Sequence, residues 1–315
     1  VFCLPGVPRE MRGLFDRYIS PWLRQTFGLL SPERRTLKLF GIGESRVDHR
    51  LAGLWEASPL RSEADVAGVD LSIHYRATFP EIHVTFLARP GSEGAREQAV
   101  RVASHVADAA YERLEAHVFA RSAGEERSPS LADALVKALQ ETEATVAFAE
   151  SCTGGRVGDR LTNAAGASEV FELGVVAYAN AIKTQVLGVS EALLEEHGAV
   201  SRQCVEAMAQ GARRLAGATY GVAISGIAGP GGGSADKPVG TIHFALDSAA
   251  GTRHLHRVFP YDRERNKDLA AHVALWLLLR DLRGLSGPAG DDDPFDGRWG
   301  APRKQPRDPK QNSER

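Results

Sequence analysis

Cysteines, long apolar runs and an excess of one charge are all scarce in this sequence. It has 3 Cys among 315 residues, and its 38 Lys and Arg nearly balance its 40 Asp and Glu. Cys3, Cys152 and Cys204 show no Cys-x-x-Cys spacing, which argues against a disulfide framework or a thiolate metal site and is typical of the reducing cytoplasm. The formal net charge of -2 argues against nucleic-acid binding over the whole surface. The longest apolar stretch, 274–279, is far shorter than the roughly 20 residues that span a bilayer, so we expect no membrane segment.

The composition that remains is sufficient for two globular units. With 43% hydrophobic and 25% charged residues, the chain fits neither a disordered nor a fibrous protein. Residues 1–30 hold only a strand-like run, a turn at 4–8 and an amphipathic stretch from Glu10 to Phe27, which cannot bury a core alone. Because the sequence begins without Met and inside that strand-like run, we expect a fragment of a longer protein, with 1–30 the remnant of a domain.

Residues 31–121 are predicted to form a small βαββα domain. The predicted elements are a strand at 36–40, a helix at 44–54, strands at 69–76 and 81–87, and a helix at 95–117. Apolar residues alternate in both of the last two strands, which indicates that one face of each packs against a common core. Residues 122–130 are polar and contain Gly, Ser and Pro, and they are predicted to be a linker.

Residues 131–285 are predicted to form a three-layer α/β domain with a mixed sheet. The predicted elements are a helix at 131–140, strands at 145–149 and 174–179, a helix at 201–215, strands at 220–225, 241–246 and 253–259, and a helix at 267–282. Helices and strands alternate in the first part of this range, and the last three strands follow one another directly. This order is typical of a three-layer α/β domain with a mixed sheet. Residues 286–315 lack both period and apolar content and are predicted to be a disordered tail. Its basic end could contact a partner or nucleic acid, or serve only solubility.

A serine lies where the first strand of this domain is predicted to turn into a helix. Ser151 follows the apolar run 145–149 and precedes Thr153, Gly154 and Gly155. A hydroxyl at such a turn is presented at the sheet edge, and the glycines let backbone N–H groups approach an anion or a developing oxyanion. A serine or threonine that merely caps a helix gives the same pattern, so the motif alone leaves both interpretations open.

Two further segments of this domain contain candidate catalytic or binding residues. Tyr178 ends an apolar strand, and Lys183 follows one turn later, where a desolvated lysine could take the proton of Ser151 or could be an ordinary surface residue. A loop rich in glycine runs from Ser225 to 234 and returns at 237–241. Its backbone amides could hold a phosphate, although it matches neither Gly-x-Gly-x-x-Gly nor the Walker A pattern. A flexible surface loop is the alternative.

Five motifs together resemble a known family. They are AESCTGG at 149–155, YANAIK at 178–183, HGAVS at 197–201, SGIAGP at 225–230 and KPVGT at 237–241. In this order and spacing they are similar to the C-terminal domain of the CinA family, over about 128–285. Residues 4–11 and 36–117 similarly resemble the end of a molybdopterin-binding-like domain and the small domain of longer CinA proteins. Most of that first domain is missing, so its metal-dependent pyrophosphatase activity is not expected here.

The resemblance implies a nicotinamide mononucleotide deamidase. Ser151 would attack the carboxamide carbon, Lys183 would accept the serine proton, and Tyr178 would position or relay it. Lys267 replaces a second arginine that the family often has, which keeps the charge but loses bidentate geometry. The chemistry requires no metal or organic cofactor, and we expect nicotinamide mononucleotide as substrate and a homo-oligomer. The residues implied to bind substrate are Thr153, Gly154, Gly155, Asn180, Ser225, Gly226, Gly229, Thr241 and Arg263.

Alternatives remain for the nucleophile and for the function. Cys152 adjoins Ser151 and would be a stronger nucleophile as a thiolate, but neighbouring residues at a turn point in different directions, which favours the serine. The chain could instead be a non-catalytic scaffold in competence or DNA repair, with the small domain as an interaction surface. Glu44 and Asp48 flank the Gly-Ile-Gly loop at 41–43, so direct nucleic-acid binding there is not expected. The histidines at 243, 254 and 256 lack carboxylates at metal-ligand spacing and are expected to be ordinary.

Overall fold

The computed structural model of the chain describes residues 1–124 and 128–285. Within these ranges no helix is both long and apolar enough to cross a membrane. The disordered tail expected at 286–315 and the middle of the expected linker lie outside the described residues. In chain order the helices and strands are α1 Pro8–Leu14, α2 Ser20–Phe27, β1 Glu33–Leu39, α3 Glu44–Leu51, α4 Arg61–Ala67, β2 Val69–Thr78, β3 Glu81–Pro90, α5 Arg96–Leu114, β4 Val118–Ala123, α6 Leu131–Glu141, β5 Val146–Glu150, α7 Arg156–Thr162, β6 Phe171–Val176, α8 Asn180–Leu187, α9 Glu191–His197, α10 Arg202–Ala216, β7 Tyr220–Gly226, β8 Thr241–Ser248, β9 Gly251–Val258 and α11 Arg263–Leu282.

The first 30 residues are helical where they are regular. A π-helical turn at Phe15–Ile19 joins α1 to α2, and Ile19 is the buried residue of this segment. The strand-like interpretation of the first residues is wrong, because positions 1–5 have no regular structure. A strand needs a neighbour to accept its backbone hydrogen bonds, and no described strand pairs with this segment.

The small unit contains a four-stranded antiparallel sheet in the order β2-β3-β1-β4. Alternate residues of β1 and β3, among them Leu37, Val84 and Phe86, pack against α5 in one core. Two elements were missed: α4, and β4, which pairs with β1 through residues 118–123. Residues 122 and 123, which were expected to begin the linker, therefore belong to β4. Their polar sequence does not predict a strand, and it is the pairing with β1 that makes them one.

The larger unit is the expected three-layer α/β fold with a mixed sheet. Its five strands lie in the order β6-β5-β7-β8-β9, with β5 parallel to β6 and β7, and with β8 and β9 antiparallel to their neighbours. One face of the sheet packs against α6, α7 and α11, and the other packs against α8, α9 and α10. Because β5, β6 and β7 are parallel, the loops that follow them meet at one edge of the sheet.

Helix α11 also contacts the small unit. Arg283 donates to the carbonyls of Val118 (2.8 Å) and Phe119 (3.1 Å), and the ring of His272 lies 4.5 Å from that of Phe40. Burial lowers the pKa of His272 to about 3, so its ring is neutral at this contact near pH 7. The helix therefore joins the two units through aromatic packing and arginine–carbonyl hydrogen bonds.

Candidate active site

Ser151 lies at the carboxyl end of β5, where the predicted turn is found. Its backbone N–H donates to the carbonyl of Ile224 in β7 at 3.0 Å, which fixes the residue beside the neighbouring strand. The side chain is buried with 9% exposure. Ala147 and Ala149 pack on the α8–α10 side of the sheet, and the alternation of β5 continues to Ser151 on that side. The strand thus aims the hydroxyl toward the helix that carries Lys183.

The turn after Ser151 is held by Glu150, whose role the sequence did not reveal. This side chain is 2% exposed and points to the opposite face from Ser151. Its carboxylate accepts three backbone N–H groups, from Gly155 at 2.9 Å, Val157 at 3.1 Å and Gly158 at 2.9 Å. These are unsatisfied donors at the start of α7, where a negative charge is favoured. Glu150 therefore caps α7 and fixes the loop between them.

This capping corrects the expected roles of residues 153–155. The amide of Gly155 already bonds to Glu150, so it is not available to an oxyanion. Gly154 and Gly155 adopt positive φ of 65° and 96°, which makes glycine necessary for the turn itself. Neither they nor Thr153 line the cavity around Ser151. Thr153 is fully buried, and its hydroxyl has no hydrogen-bond partner among the described residues.

Two amides of this turn remain candidates for an oxyanion site. Within the described parts of the chain, the backbone N–H groups of Cys152 and Thr153 have no oxygen acceptor. Both follow Ser151 directly, and a donor next to the nucleophile in sequence is a common arrangement for holding a developing negative charge. Of the backbone amides that follow Ser151, those of Cys152 and Thr153 are therefore the candidate oxyanion donors.

Lys183 is buried in the first turns of α8 with 1% exposure. Its Nζ donates to the carbonyls of Ala177 at 2.9 Å and Tyr178 at 3.3 Å, and no carboxylate pairs with it among the residues described. Burial lowers the pKa of Lys183 from its usual 10.5, opposed by the nearby thiols of Cys204 and Cys152. A neutral amine has two N–H donors and one lone pair, and the two carbonyls occupy both donors. In that neutral form, the lone pair of Lys183 can accept a proton.

Ser151 and Lys183 line the same cavity, which has a volume of about 290 Å³. The structure records no hydrogen bond between these two described side chains. Lining residues come from the loops after β5, β6 and β7, from the 199–200 segment and from the start of α11. They are Ser151, Cys152, Tyr178, Asn180, Lys183, Ala199, Val200, Ser225, Gly226, Ile227, Ala228, Gly229, Gly231, Gly232 and Arg263.

Tyr178, Asn180 and Arg263 lie at the mouth of this cavity. Tyr178 follows β6 by two residues instead of ending it, and it is 63% exposed. Arg263, the first residue of α11, donates to the carbonyl of Gly229 at 2.7 Å and to the Tyr178 hydroxyl at 3.3 Å. Two of its five N–H donors are thus used within the chain, and the remainder can serve a ligand. Asn180 begins α8 and is exposed.

The residues expected from the glycine-rich loop divide into two groups. Ser225, Gly226 and Gly229 line the cavity, but the Ser225 hydroxyl donates to the carbonyl of Ala199 at 2.6 Å. A Cβ at Gly226 would lie 2.6 Å from a backbone oxygen of β8, so glycine is required for the strands to approach. Thr241 does not line the cavity, because its hydroxyl donates to the carbonyl of Pro238 at 2.6 Å and closes the return of the loop.

The position and the protonation state of Cys152 both argue against a role as nucleophile. It packs in the core on the α7 and α11 side of the sheet, with 6% exposure. Burial raises the pKa of its thiol to about 12, so the thiolate is scarce near neutral pH. The geometry therefore favours Ser151 over Cys152.

Three histidines cluster on β8 and β9 without forming a metal site. His243 Nδ1 lies 2.9 Å from His254 Nε2, and its ring stacks 4.6 Å from that of His256. Burial lowers the pKa of all three, that of His243 to about 4. No group of three or more His, Cys, Asp or Glu in the described part of the chain could hold a metal ion.

Comparison with known proteins identifies the family. Residues 128–282 match the CinA C-terminal domain. A CinA-like protein of Anaeromyxobacter dehalogenans strain 2CP-C is 44% identical over 283 residues, which are 90% of this chain and 64% of that protein. The chain belongs to the CinA family. A CinA-like protein of Desulfosudis oleivorans is 40% identical over 286 residues, 90% of this chain and 65% of the relative, so this CinA-family chain spans less than two thirds of the length of these relatives.

Solved structures also include relatives that align with about half of the chain. The competence/damage inducible protein CihA from Agrobacterium tumefaciens is 38% identical and aligns with 49% of this CinA-family chain and 97% of its own, with a TM-score of 0.47. A CinA superfamily protein from Klebsiella pneumoniae 700603 is 34% identical over 49% of this chain and 96% of its own, with a TM-score of 0.48.

Proposed function

We propose that this CinA-family chain is a cytoplasmic amidohydrolase that converts nicotinamide mononucleotide and water to nicotinic acid mononucleotide and ammonia. One observation carries the proposal: a buried lysine that pairs with no carboxylate among the described residues lines the same cavity as a serine at a strand-to-helix turn. Burying an unpaired ammonium is costly, and a lysine kept in such a place is suited to act as a neutral base. A residue with only a structural role would not need an ionisable group there.

The first half of the reaction forms an acyl-enzyme. Neutral Lys183 Nζ takes the proton of the Ser151 hydroxyl while Oγ forms a bond to the carboxamide carbon. The negative charge that develops on the carboxamide oxygen is held by the amides of Cys152 and Thr153. The C–N bond then breaks, and the Lys183 ammonium returns its proton to the leaving nitrogen, which departs as ammonia.

The second half restores the serine. A water molecule loses a proton to Lys183 and attacks the ester carbon, and the bond to Ser151 Oγ breaks as Lys183 protonates that oxygen. Nicotinic acid mononucleotide leaves. Tyr178 contacts Arg263 at the mouth of the cavity, so we assign it to positioning the reacting groups or relaying the serine proton.

Substrate binding uses the mouth of the cavity. Its volume of about 290 Å³ is just below the roughly 300–1,000 Å³ of small-molecule pockets, so the pyridine ring fits inside while the phosphate stays near the surface. The free N–H donors of Arg263 and the glycine-rich loop amides bind that phosphate. Lys267 contributes positive charge beside Gly154. Its Nζ lies 3.7 Å from the point where a Cβ on residue 154 would be.

A homo-oligomer is part of the same proposal. Val176 and Tyr178, with 48% and 63% exposure, lie next to the mouth and at the end of β6, which is an edge strand. Light scattering coupled to gel filtration measures the assembly, and a strictly monomeric chain would contradict this part without affecting the chemistry.

The decisive experiment is turnover of nicotinamide mononucleotide by the purified chain in buffer containing a metal chelator. We expect nicotinic acid mononucleotide and ammonia in equal amounts, detected by chromatography and a coupled ammonia assay. Ser151→Ala should abolish both products, whereas the matched variant Ser190→Ala, which removes only the cap of α9, should retain the rate. No turnover by the native chain would favour the non-catalytic scaffold, and full activity of Ser151→Ala would end the serine mechanism.

A further inference from the structure

The small unit presents a polar sheet face on the side opposite α5. Residues of β1 and β3 alternate, with Leu37, Val84 and Phe86 in the core and the residues between them on the other face. A cavity of about 340 Å³ lies on that face. Its lining is drawn from all four strands and from Ser128, and it is separate from the cavity of Ser151 and Lys183.

Every charged residue that lines this cavity is basic. Arg34, Lys38 and Arg76 contribute cations, His74 and His83 contribute imidazoles, and no described Asp or Glu is among the lining residues. Glu81 bonds to one lining residue, His83, at 2.8 Å; burial opposes ionisation of Glu81, but the His83 hydrogen bond and the charges of His272 and Lys38 lower its pKa overall. Such an unbalanced lining favours an anionic occupant.

The two arginines carry most of the unbalanced charge. Neither guanidinium of Arg34 or Arg76 has an ion pair or hydrogen-bond acceptor among the described residues. Lys38 differs, because its Nζ donates to the carbonyls of Ser128 at 3.1 Å and Pro129 at 2.9 Å. The Ser128 hydroxyl is itself buried and has no partner within the described chain. Unused donors that converge on one concave surface are what a ligand site requires.

Strand register gives the spacing of the site. Arg34 pairs with Leu87 on β3, and Arg76 pairs with His83 on the same strand, four positions away. The arginines lie two strands apart across the sheet, roughly 10 Å, and four residues apart along the strands, roughly 13 Å. Their Cα atoms are therefore about 16 Å apart. Between them runs one row of paired residues that carries hydroxyls and an imidazole: His74, Thr85, Thr36 and Ser122. The ligand is therefore elongated, with negative charge along its length.

We propose that this face binds an oligophosphate carried by a small molecule, with Arg34 and Arg76 at opposite ends of the phosphate chain. Single-stranded nucleic acid is disfavoured, because the lining contains no Phe, Tyr or Trp on which bases could stack. Guanidinium groups suit this ligand, since they form bidentate hydrogen bonds with phosphate oxygens. The site does not depend on the proposed amidohydrolase activity.

Calorimetric titration of the full chain with inorganic tripolyphosphate tests the proposal. We expect saturable binding that weakens as salt rises, a loss of about tenfold in affinity for Arg34→Gln or Arg76→Gln, and no measurable binding for the double variant. Arg89→Gln is the matched control, because Arg89 lies on the same sheet face but pairs with Asp70 at 3.6 Å, and it should bind within about twofold of the native chain. Turnover of nicotinamide mononucleotide should be unchanged in all four variants.

Titrations with further ligands show which kind of phosphate compound the site recognises. Equal affinity for ATP and tripolyphosphate supports recognition of the phosphate chain alone, and tighter binding of ATP supports a nucleotide. Several outcomes overturn the proposal: no binding by the native chain, unchanged binding by the double variant, or tighter binding of single-stranded DNA through the same arginines.

Discussion

Replacing Glu150 with Gln should loosen the turn that presents Ser151. The carboxylate is almost fully buried, and its two oxygens accept the N–H groups of Gly155, Val157 and Gly158 at 2.9–3.2 Å. An amide side chain has the same shape but one accepting oxygen and no charge. At least one of the three backbone donors must then face an NH₂ group instead of an acceptor.

The expected magnitude follows from those contacts. A buried hydrogen bond to a charged group contributes about 1.5–3 kcal/mol, and its loss leaves a backbone N–H unsatisfied. Removing negative charge from a helix N-terminus costs a further ~0.3–1 kcal/mol. We therefore expect Glu150→Gln to lower the free energy of unfolding by about 2–4 kcal/mol. Because the same turn holds Ser151 and the two oxyanion amides, kcat for nicotinamide mononucleotide should fall at least about tenfold with little change in KM.

Urea unfolding followed by circular dichroism measures the stability, and ammonia release measures kcat. Glu195→Gln is the matched control, because Glu195 is exposed on α9 and should change stability by less than about 0.5 kcal/mol. The reasoning would be refuted if Glu150→Gln were as stable and as active as the control. A stable variant with reduced kcat would show that the capping bonds matter for position more than for folding energy.

Further predictions concern the base, the neighbouring thiol and the turn. Lys183→Met and Lys183→Arg should both abolish turnover, because methionine has no lone pair to offer and the guanidinium stays charged; melting curves would show whether each variant is folded. Cys152→Ala should keep kcat within about threefold, since the thiol is protonated and packed in the core; a loss like that of a catalytic residue would contradict this. Gly155→Ala should destabilise the chain by about 1–2 kcal/mol because its φ is 96°, whereas Gly158→Ala, inside α7, should be neutral or stabilising by up to ~1 kcal/mol in the same unfolding assay.

Much of the site followed from strand order along the sequence. An apolar run, a serine and two glycines predicted a strand-to-helix turn at Ser151, and the structure has that turn. Lys183 and the glycine-rich loop follow two other strands of the same domain. In a parallel arrangement the loops after neighbouring strands meet at one edge, which is why three distant segments line one cavity.

Other features depended on tertiary contacts that the sequence does not display. In the sequence Glu150 only follows the predicted strand at 145–149, and the return of α7 onto its carboxylate shows its capping role. Thr241 was expected at the substrate, but the loop return brings the carbonyl of Pro238 to its hydroxyl. The strand β4 has a polar second half, and its pairing with β1 rather than its composition makes it a strand.

The pH dependence of turnover distinguishes Lys183 from other buried titratable groups of the same domain. A general base must be neutral, so kcat/KM should rise with pH through the pKa of Lys183, which burial holds below 10.5, and then level off. The pKa of His243 is lowered to about 4 and that of the Cys152 thiol is raised to about 12, so neither changes charge in the intervening range. A rising limb below pH 10.5 that persists in Cys152→Ala is then assigned to Lys183. A flat or falling profile over this range would contradict a lysine base.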